Sequence, residues 1–431
     1  MDAVLIFGAF ALFIFLNVPI GIAIGLSVVS YLMITDIQPL MFVATNMFTS
    51  CDSFPLMAIP FFMLAGALME GGGLSRRLID MADAWVGHFT GGFAIVTIVT
   101  CTFFGAISGS APATVAAIGS IMVPAMIARG YSRTFAGALI AASGCLGVIV
   151  PPSIPMVIYG VATGASVGNL FVGGFGPALI FAAALILLSI QICRKNGFLG
   201  NGRKFSFKRV FDTTKDGIWA LLVPVIILGG IYGGYFTPTE AAVVAVVYGL
   251  FAGLVVYKEL TWTKIVESLT SSSVTVGTVL IIVGTGTTLA RVLTIARIPD
   301  LIVDGIMSVS DSPIVILLLL NLLLLVVGMV METLAAIMIL GPILYPVAEA
   351  CGMNMVWFGV LMVVNLAIGF ITPPVGVNLF VATGISGVPF EKLSKQIIPF
   401  VLVLIVVLLI ITFVEPITMF LPNLMNNSAG V

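Results

Sequence analysis

The sequence has little charge and almost no histidine, and it lacks the motifs of common soluble enzymes. Asp, Glu, Lys and Arg make up 8% of the 431 residues, against about 25% in a soluble domain. His88 is the only histidine, and the five cysteines are scattered without CxxC spacing. We therefore expect buried, inert thiols rather than a metal site or disulfides. No GxxxxGK[ST] motif occurs, so the chain has no P-loop for ATP hydrolysis, and we predict no organic cofactor.

One segment, Gly164 to Gly168, matches the GxSxG elbow of hydrolases. That elbow needs a histidine base nearby, whereas the topology predicted below places His88 at the cytoplasmic face and the elbow outside. We therefore predict that the chain is not an enzyme. A net charge of −1, with no aromatic residues interleaved among the basic ones, also argues against nucleic-acid binding.

Apolar residues are abundant, at 60% of the chain, and the mean hydropathy is +1.26. This composition is typical of an all-α protein that crosses the membrane many times, at about 20 residues per span. No basic segment precedes the first apolar stretch, so we expect no cleaved signal peptide. We predict ten spanning helices, at 3–17, 19–36, 54–70, 134–160, 168–193, 217–235, 238–257, 266–290, 353–384 and 395–420.

The basic residues indicate the orientation of the spans. Seven of the 17 Lys and Arg lie between Arg194 and Lys215, so the 194–215 loop is predicted to be cytoplasmic. Five spans on each side of it make the second half inverted relative to the first, with both termini periplasmic. The predicted domains are a first repeat at 1–195, a basic linker at 196–216 and a second repeat at 217–431.

One apolar phrase occurs twice, as GVIVPP at Gly147 to Pro152 and GFITPP at Gly369 to Pro374, 222 positions apart. Proline removes a backbone donor and disfavours helix at the preceding residue. Each phrase should therefore open a helix and free the carbonyls of Gly147 and Gly369. Broken helices at corresponding positions of two repeats are typical of the binding site of a secondary transporter.

Two more apolar stretches, 89–127 and 312–350, do not fit as ordinary spans without reversing the charge pattern. We interpret both as re-entrant hairpins, the first entering from the cytoplasm and the second from the periplasm. Their tips are predicted at Ser108 to Pro112 and at Met331 to Thr333. The segments 74–88 and 291–309 are predicted to be interfacial arm helices that lead into the hairpins.

Each hairpin tip, together with its Pro-Pro break, could form a sodium site, because an unwound backbone supplies hard oxygens without net charge. Helix capping by the tip hydroxyls is an alternative role for Ser108 and Ser110. The first site is predicted to comprise Ser108, Ser110, Gly147, Ile149 and Pro152. Internal symmetry assigns the second to Glu332, Thr333, Gly369, Ile371 and Pro374.

Four polar residues are candidates for substrate binding: Ser153, Glu240, Arg291 and Asn378. Each has a structural alternative. Glu240 could cap a helix that begins at Thr237, and Arg291 could extend to the membrane interface. Ser153 and Asn378 could instead hydrogen-bond between helices.

These features resemble the large membrane subunit of tripartite ATP-independent periplasmic (TRAP) transporters. The resemblance rests on the Ser108-Gly109-Ser110 tip, both Pro-Pro phrases, and the segments Pro19–Gly21, Gly72–Arg77 and Thr237–Ala241. It implies an elevator-type Na⁺ symporter of the bacterial inner membrane, with the first sodium site at the residues given above. It also implies two partners, a small four-helix membrane subunit and a periplasmic binding protein.

The function expected from the sequence is Na⁺-driven import of an acidic organic solute. The similarity is greatest to the sialic-acid members of the family, so we expect N-acetylneuraminate as the substrate. The alternatives are a TRAP permease for C4-dicarboxylates or another organic acid, and a stand-alone Na⁺/dicarboxylate symporter of similar design.

Overall fold

The computed structural model describes residues 2–198, 205–307, 310 and 312–428, which form helices joined by short connections, without a strand in these ranges. The helices of the first half are α1 (Asp2–Phe15), α2 (Ile20–Thr35), α3 (Met41–Cys51), α4 (Ala58–Gly71), α5 (Leu74–Val86), α6 (Gly92–Ser108), α7 (Ala111–Ile127), α8 (Arg133–Gly144), α9 (Leu146–Ile149), α10 (Ile154–Thr163) and α11 (Val167–Asn196). Those of the second half are α12 (Phe207–Tyr232), α13 (Pro238–Phe251), α14 (Trp262–Ile295), α15 (Ile298–Met307), α16 (Pro313–Val330), α17 (Thr333–Ala350), α18 (Met355–Gly369), α19 (Val377–Ser386), α20 (Phe390–Phe413) and α21 (Pro416–Ser428).

The helix starts repeat at the offset of the Pro-Pro phrases. Five helices of the first half have a counterpart that begins between 221 and 223 positions later. The pairs are α6 with α16, α7 with α17, α8 with α18, α10 with α19, and α11 with α20. Contacts between the halves repeat in the same way. A Cβ added to Gly119 would lie 3.1 Å from Ile385, and one added to Gly341 would lie 3.6 Å from Thr163. Gly341 is the counterpart of Gly119, and Thr163 is the counterpart of Ile385, at the 222 offset. The second contact therefore repeats the first with the two halves exchanged, as a two-fold relation between the halves requires.

Both Pro-Pro phrases break a helix, as predicted. The axis bends by 43° between the segment Arg133–Ile149 and α10, and no helix covers 370–376 between α18 and α19. The two Pro-Pro peptide bonds are cis. The halves therefore share the same local departure from helical structure.

Helical hairpins lie where they are predicted. Helices α6 and α7 pack together and are joined by Gly109 and Ser110, and α16 and α17 are joined by Met331 and Glu332. The amphipathic helix α5 occupies most of the predicted first arm. Re-entry of the hairpins, and the membrane faces from which they enter, remain predictions.

Length and hydropathy identify seven described helices that could each cross a membrane, and nine candidates if two bent pairs are each one span. The count of ten stays a prediction. One bent pair joins α3 to Pro55–Gly71 at 65°, and α3 was not predicted, because it is short and no side chain caps its start.

Three predicted boundaries are wrong. Helix α12 begins at Phe207, ten residues before the span predicted at 217–235 and within the predicted linker. Helix α14 continues to Ile295, so the arm predicted at 291–309 overlaps its last turn, and the separate helix α15 forms the rest of the described arm. The span predicted at 395–420 ends at Phe413, and α21 begins at Pro416. Proline at the first position of a helix suits a new start better than a continuation, since it cannot donate a backbone hydrogen bond.

Candidate ion and substrate site

The first hairpin tip gathers three oxygen atoms. Ser108 Oγ lies 2.9 Å from Thr114 Oγ1 and 3.3 Å from the Ser110 carbonyl oxygen. Thr114 Oγ1 donates a hydrogen bond of 2.8 Å to that same carbonyl. Ser108 and Thr114 are buried. Ser110 makes no side-chain cap bond at the start of α7, so its hydroxyl does not have the capping role considered above.

The first Pro-Pro phrase lies directly against this tip. A Cβ added to Gly147 would lie 2.5 Å from the Ser110 carbonyl oxygen and closer still to Thr114 Oγ1. Only glycine therefore allows the two backbones to approach this closely. The Pro152 carbonyl oxygen also faces the tip, 3.1 Å from a Cβ added to Gly109, whereas the Ile149 carbonyl faces Gly174 of α11.

Ser153 stabilises the reopened helix. Its Oγ donates a 2.5 Å hydrogen bond to the Val148 carbonyl and accepts one of 3.4 Å from the Met156 backbone N–H. The side chain is buried. Ser153 thus caps α10 and partners a carbonyl on the other side of the break, as expected for an N-cap serine.

The second tip differs in chemistry from the first. Glu332 is the counterpart of Ser110 at the 222 offset, and its Oε2 accepts hydrogen bonds from the backbone N–H groups of Leu334 and Ala335, at 3.0 and 3.2 Å. Thr333 is buried, and its hydroxyl has no hydrogen-bond partner within the described structure. A buried hydroxyl without a partner is costly unless a ligand or water satisfies it.

The second Pro-Pro phrase is anchored through its glycine. A Cβ added to Gly369 would lie 2.6 Å from the Cα of Gly328, so α18 crosses α16 at backbone contact. The Gly369 carbonyl, predicted to be free, accepts a hydrogen bond from the Thr372 N–H at 3.1 Å. That prediction is wrong in detail, because the chain forms a tight turn after the helix. Ile371 is buried and Pro374 is exposed.

The two tips meet at one cavity of about 260 Å³. Ser110 lines it from the first hairpin, and Glu332 and Thr333 line it from the second. Residues beside both breaks, including Val148 and Phe370, complete the wall. The cavity therefore joins elements that lie more than 200 positions apart in the chain.

A second cavity, of about 230 Å³, also borders the first tip. Ser108 and Ser110 line it together with the end of α4 and the polar part of α14. The α14 residues are Ser271, Ser272 and Thr275. Sequence reasoning did not select these residues, although a run of three serines inside a span was a usable signal.

Arg291 lines a third, wider cavity of about 620 Å³ between α3, α10, α14 and α17. Its Nη1 donates a hydrogen bond to Asn46 Oδ1. Hydroxyl-bearing residues line the same cavity, among them Thr49, Ser50 and Thr287. A cation held among neutral donors in an open cavity can bind a carboxylate or sulfonate.

Of the four substrate candidates, only Arg291 lines one of these three cavities; Ser153, Glu240 and Asn378 do not. Glu240 Oε2 accepts bonds from Thr237 N and Oγ1, both at 2.8 Å, and the Glu240 N–H donates back to Thr237 Oγ1 at 3.3 Å. The capping alternative for Glu240 is therefore confirmed. Asn378 is buried and donates to the Ala141 carbonyl at 3.1 Å. Asn378 thus links α19 to α8, which matches its structural alternative.

The GxSxG segment also has a structural role. Ser166 caps α11 by accepting a hydrogen bond from the Asn169 N–H at 3.3 Å, and His88 packs against Phe89 and Phe205 instead. The only histidine of the sequence is therefore not a partner of Ser166.

Paired hairpins and paired helix breaks that meet at a small, mostly apolar cavity with Ser110, Glu332 and Thr333 in its wall are typical of a membrane transporter. The chain belongs to the DctM component family of tripartite ATP-independent periplasmic transporters, since its residues 7–417 match that family. It is accordingly a multi-pass membrane transporter component and not an enzyme.

Curated relatives cover most of the chain. The isethionate TRAP transporter permease protein DctMQ of Oleidesulfovibrio alaskensis is 48% identical over 415 residues, which are 96% of this chain but 65% of that protein. The C4-dicarboxylate TRAP transporter large permease protein DctM of Pseudomonas aeruginosa is 40% identical, covering 89% of this chain and 90% of the relative. The sialic acid TRAP transporter large permease protein SiaM of Vibrio cholerae is 39% identical, covering 97% and 98%.

A solved structure has the same fold. The YdaH transporter of Alcanivorax borkumensis matches with a TM-score of 0.60 over 88% of this chain and 90% of that chain, at 16% identity. At this identity the likeness concerns the fold alone.

Proposed function

We propose that this chain is the large permease subunit that imports an organic anion together with Na⁺, with Na⁺ bound at the two hairpin tips around the cavity that they share. The observation that carries the proposal is that Ser110 and Glu332, equivalent residues of the two halves, line one cavity. Movement of the hairpins and broken helices against the remaining helices would expose this cavity to each side in turn.

The oxygen chemistry at both tips suits Na⁺. The first tip offers Ser108 Oγ, Thr114 Oγ1 and the Ser110 carbonyl within 2.8 to 3.3 Å of one another. Backbone and hydroxyl oxygens of this kind are the ligands of a hard cation. The second tip offers the Glu332 carboxylate and the Thr333 hydroxyl, which is buried and has no hydrogen-bond partner among the described residues. Sodium would therefore meet neutral oxygens at one tip and a carboxylate at the other.

The proposed substrate is a small organic anion. The relatives are named for isethionate, C4-dicarboxylates, sialic acid and 2,3-diketo-L-gulonate, and these compounds share an acidic group. Arg291 in its cavity provides a matching cation. We propose N-acetylneuraminate as the first compound to test and isethionate and succinate as the alternatives.

Two partners complete the proposed transporter. A small four-helix membrane subunit would pack beside this chain in the bacterial inner membrane, and a periplasmic binding protein would deliver the anion. The proposal also includes the cytoplasmic position of the 194–215 loop and the periplasmic position of both termini, which rest on the distribution of Lys and Arg.

The decisive experiment is uptake into proteoliposomes that contain this chain and the small subunit. Radiolabelled N-acetylneuraminate, isethionate and succinate are compared, each with its binding protein, with and without an inward Na⁺ gradient. We expect one anion to accumulate only with the gradient, and Ser108→Ala, which removes the Ser108 Oγ from the first tip, to raise the Na⁺ concentration needed for half-maximal uptake. Ser120→Ala is the matched control, since Ser120 is exposed on the same hairpin and bonds only to Ala117.

Accumulation without a Na⁺ gradient would refute the proposed coupling. Uptake that is equally fast without any binding protein would instead favour the stand-alone symporter. If all three anions fail while Na⁺ still binds, the assignment of substrate is at fault and the ion site stands.

A further inference from the structure

An apolar groove of about 390 Å³ runs between α11 and α20, away from the ion and substrate cavities. Ala184, Leu188 and Gln191 line one wall, and Val403, Val406 and Ile410 line the other. Both helices are long and apolar enough to cross a membrane. The groove therefore opens toward the hydrocarbon region.

The length of the groove fits one leaflet. Its α11 wall extends from Ile180 to Gln191, which corresponds to about 16 Å at 1.5 Å per residue. One leaflet of a bilayer contributes about 15 Å of hydrocarbon. An acyl chain can thus lie along the whole groove.

Basic residues lie beyond one end of the groove, on the same helix faces of α11 and α20 that line it. Arg194 and Lys195 follow Gln191 in the last turn of α11, and Lys195 shares the helix face of Ala184 and Leu188. Lys392 and Lys395 precede Val403 and Val406 by about three turns, so they lie on the faces that line the groove. Gly176 of α11 lies against Ile417, just beyond the end of α20, whereas Phe198, just beyond the end of α11, and Phe400 in the first half of α20 both contact Phe135. The two helices therefore run in opposite directions, and the four basic residues lie at the same end.

The basic residues at this end are available for a ligand. All four are exposed, and none forms a salt bridge within residues 2–198 and 312–428. Glu391 is the only acidic residue in 191–198 and 387–400. The excess of positive charge lies where the end of an acyl chain would present its headgroup.

We propose that this groove is a binding site for an anionic phospholipid, with an acyl chain between α11 and α20 and the phosphate at Arg194, Lys195, Lys392 and Lys395. Burial of the chain supplies apolar contact, and each basic residue near the membrane surface adds electrostatic attraction. A zwitterionic lipid of the same chain length fills the groove equally well and gains less from the four charges. The site lies on the lipid-facing side of the protein and is separate from the transported anion.

The test is retention of palmitoyl-oleoyl phosphatidylglycerol by the purified full-length chain, measured by native mass spectrometry against phosphatidylcholine of the same chains. We expect the double variant Arg194→Gln/Lys195→Gln to reduce phosphatidylglycerol affinity by roughly five-fold per charge removed. Ala184→Trp, which fills the groove, should reduce retention of both lipids. The matched controls are Lys208→Gln, in the same basic segment, and Leu179→Trp, which is exposed on α11 outside the groove.

Three results would overturn the proposal. Equal retention of phosphatidylglycerol by the double variant and the Lys208→Gln control would remove the headgroup site. The comparison of the double variant with Lys208→Gln remains valid even if Ala184→Trp does not fold, because the double variant changes only exposed side chains. Competition by inorganic phosphate would indicate a free anion site. Loss of the lipid when the small subunit is added would show that a subunit helix occupies the groove.

Discussion

The thiol of Cys145 donates a hydrogen bond to the backbone carbonyl of Ala367 at 3.1 Å, and the two residues are 222 positions apart. This is the same offset that relates the two Pro-Pro phrases. Equivalent residues can touch each other only close to the two-fold axis that relates their halves. The axis therefore passes beside both broken helices, which explains why the two breaks, and the hairpin tips that face them, share one cavity.

The glycines of the Pro-Pro phrases should tolerate no side chain. In Gly369→Ala the new Cβ would lie 2.6 Å from the Cα of Gly328 and closer still to its carbonyl carbon, and backbone atoms cannot rotate away as a side chain can. We expect destabilisation at the upper end of the ~1–3 kcal/mol typical of overpacking, seen as a lower thermal midpoint in detergent. Gly384→Ala is the control, since a Cβ there meets nothing within 4 Å. Equal midpoints for the two variants would contradict the close crossing of α16 and α18.

Thr114 should contribute to the first sodium site. Thr114→Val keeps the shape of the side chain and removes the oxygen that contacts Ser108 and Ser110. Loss of one ligand to a charged group is worth about 1.5–3 kcal/mol, so the Na⁺ concentration for half-maximal uptake should rise at least about tenfold. Thr102→Val on α6 removes a hydroxyl bonded only to Ile98 and should leave it unchanged. A shared rise in both variants would indicate general damage to the hairpin.

Local chemistry explains which features were predictable from sequence. The breaks and the hairpin tips follow from proline, glycine and serine within apolar runs, and these signals act over a few residues. The contact of Arg291 with Asn46 joins residues 245 positions apart, which no local pattern reveals. Thr114 was missed for a related reason, since its position four residues after Ser110 matters only once α7 begins at Ala111. Helix α3 has only 11 residues, several of them polar, and no side chain caps its start, so its sequence resembles a loop.

Arg291 should set the affinity for the anion. Arg291→Gln removes the charge and keeps a donor for Asn46. Charge-assisted hydrogen bonds are about twice as strong as neutral ones, so the half-saturating anion concentration should rise about tenfold while Na⁺ dependence stays the same. The measurement is uptake at saturating Na⁺ over a range of anion concentrations. Arg297→Gln is the control, because Arg297 is exposed and does not line the cavity. If Arg291→Gln leaves the half-saturating anion concentration unchanged, Arg291 does not bind the anion and its alternative role at the membrane interface stands.

The orientation of the chain can be tested with single cysteines. In a variant whose five native cysteines are replaced by alanine, we expect an impermeant maleimide to label Asn423→Cys in intact spheroplasts. Lys208→Cys should react only after permeabilisation, because the basic segment is predicted to be cytoplasmic. Both positions are exposed, so a failure to react reports the side of the membrane and not burial. The reverse pattern would overturn the predicted topology.

The two ion sites should respond differently to loss of charge, because Ser110 and Glu332 are equivalent in position and unlike in chemistry. Glu332→Gln retains an oxygen that can accept from Leu334 and Ala335, so α17 keeps its cap and the fold should hold. Removing the carboxylate charge should nevertheless weaken Na⁺-dependent uptake, since the second tip then offers only neutral oxygens. Glu349→Gln is the control, because Glu349 is exposed at the other end of α17 and bonds to Tyr345. Unchanged Na⁺ dependence in Glu332→Gln, at normal thermal stability, would remove this carboxylate from the second site and leave it with capping alone.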